Sequence, residues 1–326
     1  MIKVAINGTG RIGLCVARII GMRNDIKIVA INSTADIDTL IHLLKYDSVH
    51  RHSVEIAKVS DKAIRIGNSD NIRILSDRDI NNLDFGEAEC VLECTGKFNS
   101  LEKSKPHLKN NVKKVIISAP ADNVPMFVFG VNHTKYNNES IISNASCTTN
   151  CLAPIVQVLH SNFGVDSGLM TTIHSYTNDQ NVLDVKHKDI RRARAAALNM
   201  IPTSTGAAKA IGKIIPELNG KLNGIAIRVP TPNVSLVDLS VRLKQKVSVE
   251  SINEAFLNAE KNNPHIIHND LQKLVSSDFV DAPYSSIFVP DKTIVVDEYN
   301  AKVLAWYDNE VGYSTRLVDL AVFVND

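Results

Sequence analysis

Residues 3–22 read KVAINGTGRIGLCVARIIGM, and the parsing of this run decides the fold. KVAI (3–6) is a short apolar stretch, and GTGRIG (8–13) follows at once. LCVARIIGM (14–22) then spaces its apolar residues as a helix does, and IKIVAI (26–31) is a second strand-like run. Strand, glycine turn, helix and strand within about 30 residues is the setting in which GxGxxG binds a dinucleotide. Each glycine has its own task there. Gly8 permits the tight turn, Gly10 lets backbone approach a pyrophosphate, and Gly13 allows close packing of helix on strand, while the helix N-terminus attracts the phosphates. Further along, ECVLECTG (89–96) and KVIISAP (114–120) end in small residues, as strands leading to ligand-facing loops do. Thr95, Gly96 and Ser118 are therefore candidate cofactor contacts. An NAD-preferring site usually ends its second strand with Asp or Glu, about 20 residues past the glycines. Here the strand runs into INSTAD, with Asn32 and Ser33 at its end, and Asp36 and Asp38 fall later, on loop or helix. No carboxylate stands there to repel a 2′-phosphate, so relaxed cofactor choice is expected.

The chain has 326 residues, which suits two domains better than one core. Charged residues make up 22% and the formal net charge is +1, which disfavours long disorder and a globally basic nucleic-acid binder. A strand-like run follows Met1 almost directly, leaving no room for a signal region, and no apolar run approaches membrane-spanning length, so a cytoplasmic location is expected. Five cysteines without framework spacing read as free thiols, with Cys15, Cys90 and Cys94 as small core residues.

The second half carries the chemistry. In SNASCTTNCLAP (143–154) Cys147 precedes a segment whose spacing predicts a helix starting near Thr148 or Thr149. A cysteine at a helix N-terminus loses its proton more readily, and the N–H groups there can hold an oxyanion. Cys151, one turn later, has neither advantage and reads as packing; a spacing of four with no second pair fits no usual zinc site, so no metal is expected. His174 ends the run GLMTTIH and is the candidate general base, although a histidine at a strand end is more often structural. KHKDIRRARAA (186–196) concentrates Lys186, Lys188, Arg191, Arg192 and Arg194. This is either a solvated helix face or a set of phosphate or nucleic-acid contacts. STGAAKA (204–210) places Thr205 and Gly206 at another helix start suited to an anion. With RVPTPN (228–233), these point to a phosphorylated substrate.

INGTGRIG, HLLKYDS (42–48), ISAPA (117–121), SNASCTTNCLAP, HSYTNDQN (174–181), RRARAAALNMIPTSTGAAKA (191–210), RVPTPNVS (228–235) and WYDNEVGYS (306–314) together resemble phosphorylating glyceraldehyde-3-phosphate dehydrogenases from the first strand to the last helix. The resemblance implies that Cys147 is the nucleophile and His174 its base. The thiolate would add to the aldehyde of glyceraldehyde 3-phosphate, and a thioester would be released by inorganic phosphate as 1,3-bisphosphoglycerate. It places Thr177 and Arg228 at one anion site, with Asp179 orienting the arginine, and Ser146, Thr205, Gly206 and Arg192 at the other, beside Thr148. Arg11 and Ile12 would follow the glycine turn, Arg78 would approach the adenine end, and Thr95, Ser118, Asn309 and Tyr313 would surround the pyrophosphate and nicotinamide.

Three positions depart from the family pattern. Thr9 stands where phenylalanine is usual, a change expected to be neutral. Ser33 replaces the ribose-binding aspartate, and Val185-Lys186 replaces a frequent Leu-Pro in a loop that the family sends to the neighbouring subunit's adenosine ribose. A lost acid and a gained lysine favour use of both NAD and NADP. The expected architecture is α/β: a doubly wound parallel-sheet dinucleotide-binding domain over 1–147 with a returning C-terminal helix, 311–326, and an α+β catalytic domain over 148–310. The resemblance also implies a homotetramer and a role in glycolysis or gluconeogenesis, while the short apolar runs, and a basic segment already explained by phosphate binding and the subunit loop, leave no membrane partner and no primary nucleic-acid role expected. Erythrose-4-phosphate dehydrogenase is the alternative enzyme, and the complete second anion site argues against it.

Overall fold

A computed structural model describes residues 1–51 and 54–326. The chain divides into two compact units, Met1–Ser146 with Ser314–Asp326, and Cys147–Tyr313. Among the described residues no helix is long and apolar enough to cross a membrane.

The first unit is built on one eight-stranded sheet. Its strands are β1 (Ile2–Asn7), β2 (Ile26–Asn32), β3 (Ile56–Ser60), β4 (Ala63–Ile66), β5 (Ile72–Leu75), β6 (Cys90–Glu93), β7 (Lys114–Ile117) and β8 (Ile141–Ser143), in the order β3-β4-β5-β2-β1-β6-β7-β8. β5, β2, β1, β6, β7 and β8 run parallel, and β3 and β4 add an antiparallel edge. The first crossover, α1 (Arg11–Gly21), carries the chain from β1 to β2 on one side, and β6 joins β1 on the other. The order therefore reverses between β1 and β6, and ligands of such sheets bind beyond the strand ends at that reversal. α1 buries Leu14, Cys15, Val16, Ala17 and Ile20, as its apolar spacing requires, and the end of the last helix adds Leu317, Val318, Leu320 and Ala321 to the same core. Gly8 has φ +101°, and a Cβ on Gly13 would stand 2.0 Å from the Gly8 carbonyl oxygen, so both need glycine.

The HLLKYDS motif has a structural use. α2 (Ile37–Lys45) ends just before Asp47, whose carboxylate takes two hydrogen bonds from Arg11, at 2.6 and 3.1 Å, and one from Arg18 at 3.3 Å. Burial alone would raise the Asp47 carboxyl, but Arg11 and the N–H groups of His50 and Val49 outweigh it and hold the group well below the usual carboxylate range. A depressed folded pKa stabilises above the unfolded value, about 4, and the gain is lost as pH falls through the lower folded value. Asp47→Asn should therefore lower unfolding free energy by roughly 2 kcal/mol at pH 7, measured by urea unfolding, with the gap to the parent narrowing below about pH 4. A gap independent of pH contradicts this assignment.

The second unit opens with α4 (Cys147–Phe163), following the short α3 (Leu101–Ser104) of the first. Its sheet contains β9 (Val165–Ser175), β10 (Ile201–Ser204), β11 (Leu222–Val229), β12 (Ser235–Leu243), β13 (Ile267–Asn269), β14 (Ser286–Phe288), β15 (Ile294–Val296) and β16 (Asn300–Tyr307). The order is β10-β11-β9-β12-β16-β14-β13, with β15 on β16, and most pairs are antiparallel. α4 and α5 (Ala207–Ile214) pack on one side of this sheet together with α6 (Val249–Asn262); α7 (Val311–Phe323) closes the chain. Alternation along β9 sends Met170, Thr172 and His174 to the buried side and leaves Leu169 exposed on the other.

Candidate active site

At the β1–β6 reversal lies a groove of about 320 Å³ lined by Asn7, Gly8, Thr9, Gly10, Cys94, Thr95 and Lys97 together with Asn32, Thr34, Ala35, Asp77 and Arg78. That volume is near the lower end for small-molecule sites. A Cβ on Gly10 would meet nothing within 4 Å, so open space stands where the pyrophosphate is expected to approach backbone. Glu93, buried outside the lining, ties two lining residues in place, accepting hydrogen bonds from Asn7 Nδ2 at 2.6 Å and the Thr95 N–H at 2.8 Å, and from His107 Nε2 at 3.0 Å. The residues present fit an adenine dinucleotide.

The predicted contacts differ in what they offer to such a ligand. Arg78 and Thr95 line the groove as expected, whereas Gly96 and Ser118 lie outside its lining. The Arg11 guanidinium is held by Asp47, and Ile12 packs against the core, which leaves their backbone as the binding surface. Asn32 spends its amide on Asn7 Oδ1, Asp77 O and the Asp77 N–H. Ser33 is 1% exposed and does not line the groove, so its expected direct ribose contact is not available. Asp36 caps α2 through the Thr39 N–H and Asp38 pairs with Lys58, so the strand end carries no competing acid.

The second unit gathers the reactive groups. α4 begins at Cys147 itself, one or two residues before the predicted start, because the thiol-bearing residue already takes helical backbone. Its Sγ lies 3.6 Å from His174 Nε2. Strand register explains who surrounds the imidazole: parallel pairing sets Arg228 of β11 beside His174 of β9, and antiparallel pairing sets Ser235 of β12 beside Tyr307 of β16. His174 Nδ1 is 2.7 Å from the Ser175 carbonyl oxygen. Nδ1 thus faces an acceptor, this carbonyl, and a donor, the Arg228 guanidinium, so either tautomer finds a partner there, and the chemistry uses the one whose Nε2 presents a lone pair to the thiol. Arg228 Nη1 donates to the same carbonyl at 3.0 Å and lies 2.8 Å from Nδ1.

Both reactive groups are held neutral. Burial, then the charge of Arg228, pushes His174 down to about 3. Burial raises the Cys147 thiol, against opposing effects from Arg228 and from the Thr148 hydroxyl and N–H. The expected lowering of this thiol by the helix start is thus opposed by desolvation. The resting pair is a thiol beside a neutral imidazole. Cys151 is fully buried and packs, as the sequence predicts.

Sequence reasoning missed the hydroxyls behind this pair. Tyr307 bonds Thr148 Oγ1 and Thr172 Oγ1, each at 2.9 Å, and stands edge-on to His174. Ser175 and Ser235 both donate to Asn309 Oδ1, at 2.8 and 2.9 Å, which leaves the Asn309 amide N–H groups for a ligand. Val234, at φ +66°, lies in a region unfavourable to β-branched residues and delivers Ser235 to this network. Except for Thr172, their sequence signal was membership of the motifs HSYTNDQN, RVPTPNVS, SNASCTTNCLAP and WYDNEVGYS; single serines and threonines carry none by themselves.

Arg228 Nε is buried without a hydrogen-bond partner, a donor suited to an anion. Asp179 does not orient this arginine. Its carboxylate pairs with Arg192 Nη1 instead, and Arg192 Nε donates to Thr203 Oγ1 at 2.9 Å. The two sit on one irregular segment that folds back on itself before β10, which brings them together. Thr177 Oγ1 accepts from the Asp179 N–H at 3.4 Å, and Thr205 Oγ1 from the Ala207 N–H at 3.2 Å, with Gly206 at the N-cap of α5. Ser146 belongs to the first unit and Lys186 is exposed; Tyr313 is buried in the second unit. The basic segment is not a helix face: Arg194 pairs with Asp184 at 2.6 Å, and Arg191–Ala193 is a single tight turn. A larger cavity of about 680 Å³, lined by Gly168, Leu222, Val241, Lys221, Arg242 and Lys302 among others, lies at the opposite end of β9 from His174.

Two family profiles match the chain. "Glyceraldehyde 3-phosphate dehydrogenase, NAD binding domain" covers residues 2–101, and "Glyceraldehyde 3-phosphate dehydrogenase, C-terminal domain" covers 146–309. Glyceraldehyde-3-phosphate dehydrogenase 1 of Bacillus cereus is 50% identical over 331 residues, 99% of this chain and 98% of the relative. The Geobacillus stearothermophilus glyceraldehyde-3-phosphate dehydrogenase is 50% identical over 329 residues, with the same coverage. That of Cereibacter sphaeroides is 47% identical over 327 residues, 98% of each.

Proposed function

The chain belongs to the glyceraldehyde-3-phosphate dehydrogenase family, NAD-binding enzymes that oxidise glyceraldehyde 3-phosphate through a cysteine in glycolysis, and from that premise we propose how its residues divide the work. Cys147 Sγ attacks the aldehyde carbon as its proton passes to His174 Nε2, which returns it to the carbonyl oxygen to give a hemithioacetal. Nε2 then takes the hydroxyl proton as the carbon is oxidised to a thioester on Cys147. When bound, the nicotinamide supplies the hydride acceptor. Phosphate oxygen then attacks the thioester carbon, the C–S bond breaks, and 1,3-bisphosphoglycerate leaves. Backbone N–H groups at the start of α4 and the Nε2 proton stabilise the oxyanions, a contribution of about 3 kcal/mol per donor. The observation that carries this reading is the 3.6 Å approach of Sγ to Nε2.

Arg228, with its unsatisfied Nε, and Thr177 hold one phosphate; Arg192, Thr205, Gly206, Ser146 and Thr148 hold the other. Arg192 must then exchange Asp179 for phosphate, so Asp179 acts as the carboxylate that occupies this guanidinium between turnovers. Arg11, Ile12, Gly96, Ser118, Asn309 and Tyr313 serve the cofactor, and Lys186 reaches the cofactor of a neighbouring copy. Use of both NAD and NADP is supported by the lack of an acid at the end of β2 and by Arg78 and Lys97 in the groove. A homotetramer is supported by exposed Leu169, Ile225, Ile294 and Val296 in the second sheet, and sedimentation velocity showing a monomer at micromolar concentration would oppose it. Steady-state kinetics with each cofactor, with and without phosphate, test the whole reading. Turnover should require phosphate; equal speed without it would favour a hydrolytic relative such as erythrose-4-phosphate dehydrogenase. An NAD preference above about 10³ in kcat/KM, roughly 4 kcal/mol, would exclude dual use.

A further inference from the structure

We infer that Thr9, the residue between the first two glycines of the turn, is the side chain that reads the 2′ position of the adenosine ribose, with Ser33 behind it as a positioning residue. The inference rests on the proposal that the β1–β6 groove takes the adenosine half of the cofactor. By position along the chain, Ser33 is the residue to which ribose recognition falls, yet it is 1% exposed and absent from the groove wall. Thr9 is half-buried, lines the groove, and has its Oγ1 2.7 Å from Ser33 Oγ. Ser33 Oγ also accepts the Ala35 N–H at 3.2 Å, and the Ser33 N–H is bound to the Leu75 carbonyl at 2.9 Å, so the serine is fixed in place. Asn32 is spent on Asn7 and Asp77, and Asp36 and Asp38 are engaged elsewhere. Thr34 also lines the groove but is exposed, where water competes for its hydroxyl.

The chemistry of two stacked hydroxyls differs from that of a carboxylate. An ionised acid only accepts hydrogen bonds, so it suits a ribose hydroxyl and repels a phosphate. A hydroxyl donates or accepts as its proton rotates. Toward a 2′-phosphate, Ser33 donates to Thr9 and Thr9 donates to the ligand. Toward a ribose 2′-hydroxyl that donates, the direction reverses, and Thr9 accepts from the ligand while donating to Ser33. The Ala35 N–H holds the serine oxygen in either state. The pair thus serves both cofactors without moving a heavy atom, and the substitution of threonine in the glycine turn is part of the device and not neutral.

The test is equilibrium binding of NAD and of NADP by titration calorimetry to the full-length protein and to Thr9→Val, Thr9→Ser, Ser33→Ala and the Thr9→Val/Ser33→Ala pair. Thr9→Val keeps the shape and removes the hydroxyl; it should weaken both cofactors about 5- to 10-fold, the value of one hydrogen bond, with Thr9→Ser restoring affinity to within about twofold. Ser33→Ala should weaken binding about two- to threefold when Thr9 is present and have no effect in the valine background, because it acts only through Thr9. Unchanged affinity in Thr9→Val, or an equal cost of Ser33→Ala in both backgrounds, overturns the inference. An unfolded variant would be recognised by a collapsed thermal transition, and Thr9→Ser then decides alone: parental affinity supports the hydroxyl, a valine-like loss opposes it. The NAD arm is independent of dual specificity, so rejection of NADP by the parent would end that reading while leaving Thr9 to be judged on NAD.

Discussion

Cys147→Ser is expected to lower kcat by about 10⁴-fold or more, the scale seen when a covalent nucleophile is removed. A serine hydroxyl is a far weaker nucleophile than sulfur at neutral pH, and its proton is far harder to remove than that of a thiol. Affinity for NAD at the adenosine groove should stay within about twofold, since a single serine for cysteine leaves those hydrogen bonds intact. Cys151→Ala supplies the control, because the second thiol is buried away from the reacting atoms and should retain near-parental kcat. Comparable losses in the two variants would contradict the separate roles assigned to the two cysteines.

His174→Asn is expected to cost about 10²- to 10⁴-fold in kcat, the usual contribution of a positioned base. Asparagine keeps a hydrogen-bonding amide near Sγ but cannot take a proton. The sign of the accompanying pH effect follows from the thiol. Burial raises the Cys147 pKa, so without Nε2 the thiolate must form by loss of the proton to solvent, at higher pH than in the parent. Alkylation by iodoacetamide at pH 7 should slow by at least about tenfold, and its inflection should move to higher pH. A variant with the parental alkylation profile would show that His174 does not serve the thiol.

The glycine turn was legible because each of its demands is local: Gly8 and Gly13 are required by a left-handed φ and a carbonyl at contact distance. Cys147 was legible as a helix start, and the family motifs named His174 and Arg228. What sequence did not reveal is set by register and desolvation. Pairing of β11 with β9 aligns Arg228 with His174, and pairing of β12 with β16 aligns Ser235 with Tyr307, across gaps of 54 and 72 residues respectively that no local pattern spans. Desolvation opposes the helix-start effect at the partly buried Cys147 thiol, since a helix terminus can be seen in sequence and its surroundings cannot. Ser33 lies just past the end of β2, and its burial, with its hydroxyl bonded to Thr9, depends on tertiary packing that no local pattern gives. Asp179 changed partners because the segment from 176 to 200 has no period from which its folding back could be read.

The thioester on Cys147 is the centre of the account, and intact-protein mass spectrometry after mixing the enzyme with glyceraldehyde 3-phosphate and NAD in phosphate-free buffer tests it most directly. One 3-phosphoglyceroyl group per chain should accumulate, map to Cys147, and vanish on addition of inorganic phosphate with formation of 1,3-bisphosphoglycerate. Reduction of NAD at the full steady rate without any acylated protein, or an acyl group borne by another residue, would contradict it.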